Sequence, residues 1–104
     1  MPWLFSYGSL QQPAVQREIL GRDLPGSREE IVGFDRVLIR RGDRQLANVV
    51  RSEQTGARVA GMVFEITDAE LRVVDAYEAR DSYVRVLVAL ASGAEAWLYA
   101  EDSR

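Results

Sequence analysis

The chain contains no cysteine, no histidine and no lysine. Each absence removes a class of chemistry. Without cysteine there is neither a disulfide framework nor a thiolate nucleophile, and nothing argues for an oxidising compartment. Without histidine the commonest metal ligand is gone, together with the usual general base near neutral pH. Without lysine no Schiff base can form. With neither histidine nor lysine to accept its proton, Ser9 cannot be the nucleophile of a serine triad. All 13 basic residues are arginine, a bias that the base composition of the gene explains. Catalysis is left to carboxylates, hydroxyls, phenols, guanidinium groups and backbone amides.

Long apolar runs are missing as well. The start, Met1-Pro2-Trp3-Leu4-Phe5, passes directly into Ser6-Tyr7-Gly8, which is too short for the core of a signal peptide. No segment approaches the roughly 20 apolar residues that cross a bilayer. The expectation is a cytoplasmic protein with no membrane partner. The net charge is −3 and the arginines are scattered among acids, whereas nucleic acid selects a basic stripe or patch, so none is expected as a partner. What is present is enough apolar material for a core: 47% of 104 residues are hydrophobic. That fits one domain over residues 1–104, without repeat or linker.

Local patterns order the elements. Trp3 to Tyr7 is a short apolar strand that stops at Gly8-Ser9 in a sharp turn. Pro13 suits the first position of a helix and Gly21 the position past its end, which predicts a helix over 13–20 with Gln12 at its cap. Asp23 to Glu30 carries Pro25 and Gly26 and is expected to be a connection. Ile31 to Arg40 alternates as a strand, and Arg41-Gly42-Asp43-Arg44 turns back into a strand over 46–50. The dipeptide Arg40-Arg41 is expected at a solvated hairpin tip. Ser52 to Ala57 is a loop, and Val59 to Ile66, apolar on both faces, is a central strand. Thr67-Asp68-Ala69-Glu70 is a capping box that opens a helix to about Glu78. Tyr83 to Ala91 and Glu95 to Ala100 are strands joined at Ser92-Gly93. The fold class that follows is α+β, a small mixed, curled, barrel-like sheet with two short helices.

Glu78 is the most informative position. Leu71, Val74 and Glu78 fall at i, i+3 and i+7 on one helix face, the stripe that faces a sheet, and its third member is an acid. Asp75 lies beside that stripe. If enclosed, Glu78 is lifted in pKa by burial and by a neighbouring carboxylate, and can both take and give a proton near neutral pH. If it sits in a fraying last turn, it is an ordinary solvated glutamate. Position alone leaves both open.

Tyr7-Gly8-Ser9-Leu10 is the second feature. Consecutive N–H groups in such a turn can form a concave site for a carboxylate or carbonyl oxygen, with Gly8 allowing close approach, Ser9 a hydroxyl and Tyr7 a wall. An ordinary strand-ending turn has the same residues. Tyr83 and Arg85 alternate on one strand face, where they either line a pocket or pack their stems with the charge in water.

In this order and separation, Tyr7-Gly8-Ser9-Leu10, Asp75-Ala76-Tyr77-Glu78 and Tyr83-Val84-Arg85-Val86 resemble the gamma-glutamylcyclotransferase-like superfamily. The likeness runs from Leu4 to Tyr99. It is closer to the short branch that includes gamma-glutamylamine cyclotransferases and many uncharacterised bacterial proteins. The resemblance implies a small mixed barrel in which the turn from Tyr7 to Leu10 holds the gamma-glutamyl or 5-oxoproline moiety, with Tyr83 at the same site. It also implies Glu78 as general acid/base of a cyclotransferase, of transferase or lyase type, that needs no metal or cofactor. The substrate would be a small gamma-glutamyl compound whose own α-amine attacks its γ-carbonyl, releasing 5-oxoproline and an amine. Val74 replaces a leucine common in the family, and Gln11-Gln12-Pro13 lacks the basic and glycine residues common in the branch, a difference that bears on the leaving group. Little sequence follows Tyr99 to close over a pocket. A non-catalytic module binding a small carboxylate or amide on the same turn, and removal of a gamma-glutamyl group from a specialised compound, are the alternatives. The amine that leaves and the oligomeric state are not specified by these residues.

Overall fold

A computed structural model describes residues 1–102 of the chain. Within them the strands are Trp3–Ser6 (β1), Gly26–Val32 (β2), Phe34–Arg41 (β3), Arg44–Arg51 (β4), Arg58–Glu65 (β5), Tyr83–Ala89 (β6) and Glu95–Glu101 (β7), with helices Pro13–Leu20 (α1) and Asp68–Ala79 (α2). A single 3-10 turn, Ser9–Gln11, follows β1. The class is mixed α+β, as the patterns indicate.

Five strands form one sheet in the order β2-β5-β1-β7-β6, and β3 pairs with β4 as a separate hairpin. β1 lies at the centre, antiparallel to β5 and parallel to β7. The sheet curls until its two edge strands meet at one end, where Ile31 bridges Leu90 and the Ala91 N–H donates to the Glu30 carbonyl at 2.8 Å. Alternating side chains feed two apolar clusters. Phe5, Val63 and Leu98 pack with Val49 of the hairpin. Leu4, Phe64 and Tyr99 pack with Leu71 and Val74 of α2. The expected stripe on α2 is therefore real: Leu71 and Val74 are both buried.

Helix boundaries follow their signals. Pro13 opens α1, Gln12 caps it without a side-chain bond, and Gly21 ends it in the left-handed region at φ 75°. On α2 the Thr67 hydroxyl accepts from Glu70 N–H while the Glu70 carboxylate accepts from Thr67 N–H, a complete capping box. Glu70 is also gripped by Arg22 at 2.7 and 2.9 Å, which holds its carboxyl down at about 2.

Two expectations are corrected. Residues 26–32, placed in a connection over 23–30 and the start of a strand at Ile31, form β2. Gly33 at φ 88° then separates it from β3. This edge strand pairs residue for residue with β5 from Gly26 to Val32, so backbone bonds rather than apolar periodicity hold it. Arg41 is not a solvated tip residue: it donates to the Asp81 carbonyl and pairs with Glu101.

Candidate active site

A cleft of about 460 Å³ opens between three parts of the fold: the segment after β1, the inner face of the hairpin, and the end of α2. That volume suits a small molecule. Tyr7, Gly8, Ser9, Leu10, Glu78 and Tyr83 all line it. Asp75 and Arg85 do not. The Asp75 carboxylate accepts a 2.6 Å hydrogen bond from the Tyr99 hydroxyl and lies 3.4 Å from Arg85. Arg85 in turn lies over the Trp97 ring, 4.4 Å from its centroid.

The first wall is built by the 3-10 turn. Gln11 N–H donates to the Gly8 carbonyl and Gln12 N–H to the Ser9 carbonyl, at 3.1 and 3.0 Å. The N–H groups that begin such a turn, those of Ser9 and Leu10, have no partner inside it. Gly8 has φ −135°, outside the left-handed region, so backbone conformation does not demand glycine. A Cβ there would stand 3.9 Å from the Ala47 Cβ, across the cleft; what the missing side chain leaves is open space. Gln16, a residue whose role was not evident from its helical position, anchors the turn from beneath. Its amide donates to the Leu10 carbonyl at 2.9 Å and accepts from Leu24 N–H at 2.8 Å.

Two tyrosines tie the walls together. The Tyr7 hydroxyl donates to the backbone carbonyl of Tyr99 on β7, and the Tyr83 hydroxyl donates to that of Ala47 on β4. Their rings face the cleft while their hydroxyls are engaged by backbone, so Tyr7 is a wall more than a polar tip. Burial, followed by nearby acidic groups, raises both phenols, Tyr83 to about 12. Both stay protonated as donors.

Glu78 is half-buried at the end of α2. Burial pushes its carboxyl up to about 7, and the charge of Asp81 adds to the lift. The neighbouring carboxylate expected from Asp75 is therefore supplied by Asp81 instead. Asp81 reaches the cleft because Ser82, the only non-glycine with positive φ among the described residues (64°), turns the chain sharply between α2 and β6. No helical or strand periodicity marks that position. Arg36, Leu38, Arg44 and Gln45 of the hairpin also line the cleft. They come from a segment whose alternation announces a strand but not the surface it covers. An acid poised near 7 in the same cleft as a turn whose first amides have no partner within it can exchange protons with an amine while backbone donors hold an oxygen. Among the described residues no cluster of acids is arranged to hold a metal ion, and no helix is long and apolar enough to cross a membrane.

Comparison with known proteins defines the class. The family model "Gamma-glutamyl cyclotransferase, AIG2-like" matches residues 4–103. The chain belongs to this family. A solution structure of an Arabidopsis thaliana protein aligns at 28% identity with a TM-score of 0.81, over 98% of this chain and 69% of that one. A second A. thaliana solution structure aligns at 28% identity and a TM-score of 0.80, over 96% of this chain and 61% of its own length. A solved gamma-glutamyl cyclotransferase shares the fold at 17% identity and a TM-score of 0.72, over 97% of this chain and 66% of that one. The chain thus spans 61% to 69% of these relatives. Comparison with curated proteins found no match.

Proposed function

We propose that the chain is a cyclotransferase acting on a small gamma-glutamyl compound, with Glu78 as its general acid/base. The observation that carries this reading is a carboxyl raised to about 7 in the same cleft as the turn from Tyr7 to Leu10.

The reaction needs one proton carrier. The substrate's α-amine attacks its own γ-carbonyl carbon, and Glu78 takes a proton from the attacking nitrogen. The bond from the γ-carbon to the departing nitrogen then breaks, and Glu78 returns the proton to that nitrogen. The products are a five-membered lactam, 5-oxoproline, and a free amine. Because attack is intramolecular, the substrate supplies much of the proximity, and the protein's part is to fold it into an attacking shape. The N–H groups of Ser9 and Leu10 would face the oxygen on which charge develops.

The test is 5-oxoproline release from a panel of gamma-glutamyl amines and dipeptides, with wild type beside Glu78→Gln. Release by the wild type and at least a hundredfold less by the variant is expected, in the usual range for a lost acid/base. Comparable release by both removes Glu78 from the chemistry. No release by the wild type from any member of the panel rejects the cyclotransferase reading for those substrates.

A further inference from the structure

We infer that Arg36 is the group through which this cleft grips an aliphatic carboxylate of its substrate, an inference that takes the substrate class from the cyclotransferase reading. Arg36 and Leu38 lie two apart on β3 and therefore share the face turned to the cleft. The Arg36 Nε donates to the Tyr7 carbonyl at 3.4 Å, which sets the guanidinium beside the turn that begins at Gly8.

What distinguishes Arg36 is what it lacks. The other arginine of the cleft, Arg44, has both terminal nitrogens bonded to the Asp81 carboxylate, each at 3.1 Å. Arg41, at the same hairpin tip, is paired with Glu101. Among the described residues no carboxylate pairs with Arg36, and its two terminal nitrogens are left as an open fork. A guanidinium fork matches a carboxylate two bonds at a time. The cleft's acids do not compete for it: Asp81 is held by Arg44, and among the described residues no ion pair joins Glu78 to Arg36. Of the two arginines in the cleft, Arg36 is thus the one whose charge is left without a carboxylate among the described residues. A gamma-glutamyl substrate offers two carboxylates to such a fork. One is its own α-carboxylate; the other exists only when the leaving amine is an amino acid.

Two ligands of matched shape separate these sources: gamma-glutamylglycine, and gamma-glutamylethylamide, in which a methyl replaces the glycine carboxylate. Their dissociation constants would be measured by NMR titration on wild type, Arg36→Gln and Arg36→Lys, with 5-oxoproline followed in the same tubes. Arg36 is exposed, so neither variant endangers the core. Arg36→Gln is expected to weaken binding of gamma-glutamylglycine by roughly tenfold to a hundredfold, the range for a lost charge-assisted bond. An equal loss with both ligands assigns the α-carboxylate, and a loss confined to the dipeptide assigns the leaving group. Arg36→Lys keeps the charge without the Nε bond to Tyr7 and should recover part of the affinity. Unchanged affinity in Arg36→Gln overturns the inference, as does Arg36→Lys behaving like Arg36→Gln, or a wild type that binds neither ligand. Binding without 5-oxoproline release rejects the cyclotransferase reading for these two ligands instead, and the Arg36 comparison still stands.

Discussion

Arg44 holds Asp81 by both oxygens, each at 3.1 Å, and so joins the hairpin tip to the residues just past α2 across the mouth of the cleft. This pair matters because Asp81 is the charge that adds to burial in lifting Glu78. Removing either partner should move Glu78, in opposite directions.

Asp81→Asn removes the repulsion, so the Glu78 carboxyl should titrate lower than about 7 while remaining above 4.5, because burial is the larger cause. Arg44→Ala leaves Asp81 uncompensated and should raise it. The side-chain carboxyl resonance of Glu78, followed through a pH titration, reads both. Shifts of the same sign in the two variants would show that the hairpin moved and that charge was not the cause.

Stability and activity should depend on pH in opposite senses at Glu78. A carboxyl at about 7 when folded and 4.5 when unfolded binds its proton more tightly in the folded state. Stability is therefore greatest below the unfolded value and declines as pH rises towards 7. Glu78→Gln should relieve this and leave the protein more stable than wild type at pH 8, by about 1–3 kcal/mol. Activity that needs the carboxylate as base should rise over the same window. Denaturant unfolding at pH 5 and pH 8 measures the first, and initial rates of 5-oxoproline release the second. A variant less stable than wild type at pH 8 would contradict the desolvation account.

Two glycines near the turn should answer differently to alanine. At Gly61 on β5 a Cβ would stand 2.3 Å from the Ser6 carbonyl oxygen and 2.7 Å from the Phe5 ring. Gly61→Ala must push β1 away and should lose about 1–3 kcal/mol. At Gly8 the nearest atom is 3.9 Å away, so Gly8→Ala should change stability by less than about 0.5 kcal/mol yet narrow the cleft and weaken ligand binding. Thermal unfolding beside ligand titration distinguishes the two.

Tyr99 joins three elements. Its hydroxyl donates to Asp75, its carbonyl accepts from Tyr7, and its ring packs among Leu71 and Val74. Tyr99→Phe keeps the ring and the carbonyl and removes the 2.6 Å bond to Asp75 together with the weaker 3.3 Å contact to the Leu71 carbonyl. Half-buried Asp75 keeps Arg85 at 3.4 Å and can turn to water, so a loss of about 1–2 kcal/mol is expected, with the Glu78 titration unmoved. A change in that titration would place Asp75 in the proton chemistry after all.

Much of this was legible in the residues. Pro13 and Gly21 bracket α1, the capping box starts α2, and the hairpin turns at Gly42-Asp43, because each of these signals is local. Glu78 stood out because an acid interrupted an apolar stripe. What escaped depends on partners distant in the chain. β2 has the composition of a loop, since an edge strand with polar Ser27, Arg28, Glu29 and Glu30, exposed or half-buried, needs only β5 to bond to. Asp75 and Asp81 sit three residues to either side of Glu78. Which of them counts as its neighbour was decided by Tyr99, 24 residues beyond Asp75, and by the left-handed turn at Ser82. Arg36 and Arg44 reach the cleft because the hairpin folds over it, which no spacing within the hairpin encodes.

The central position of β1 also governs when the molecule can become competent. Its register partner in β7 is Trp97, opposite Leu4, so the middle of the sheet is joined by the most distant segments in sequence. During synthesis β1 precedes every other strand among the described residues; β5 and Gln16 reach it and its turn earlier, but the bond from the Tyr7 hydroxyl must wait for the Tyr99 carbonyl of β7. Pairing of such separation makes folding slow and late. A ribosome stalled between Glu78 and Glu95 would carry a chain with Glu78 already made and the wall that Tyr99 supplies still missing.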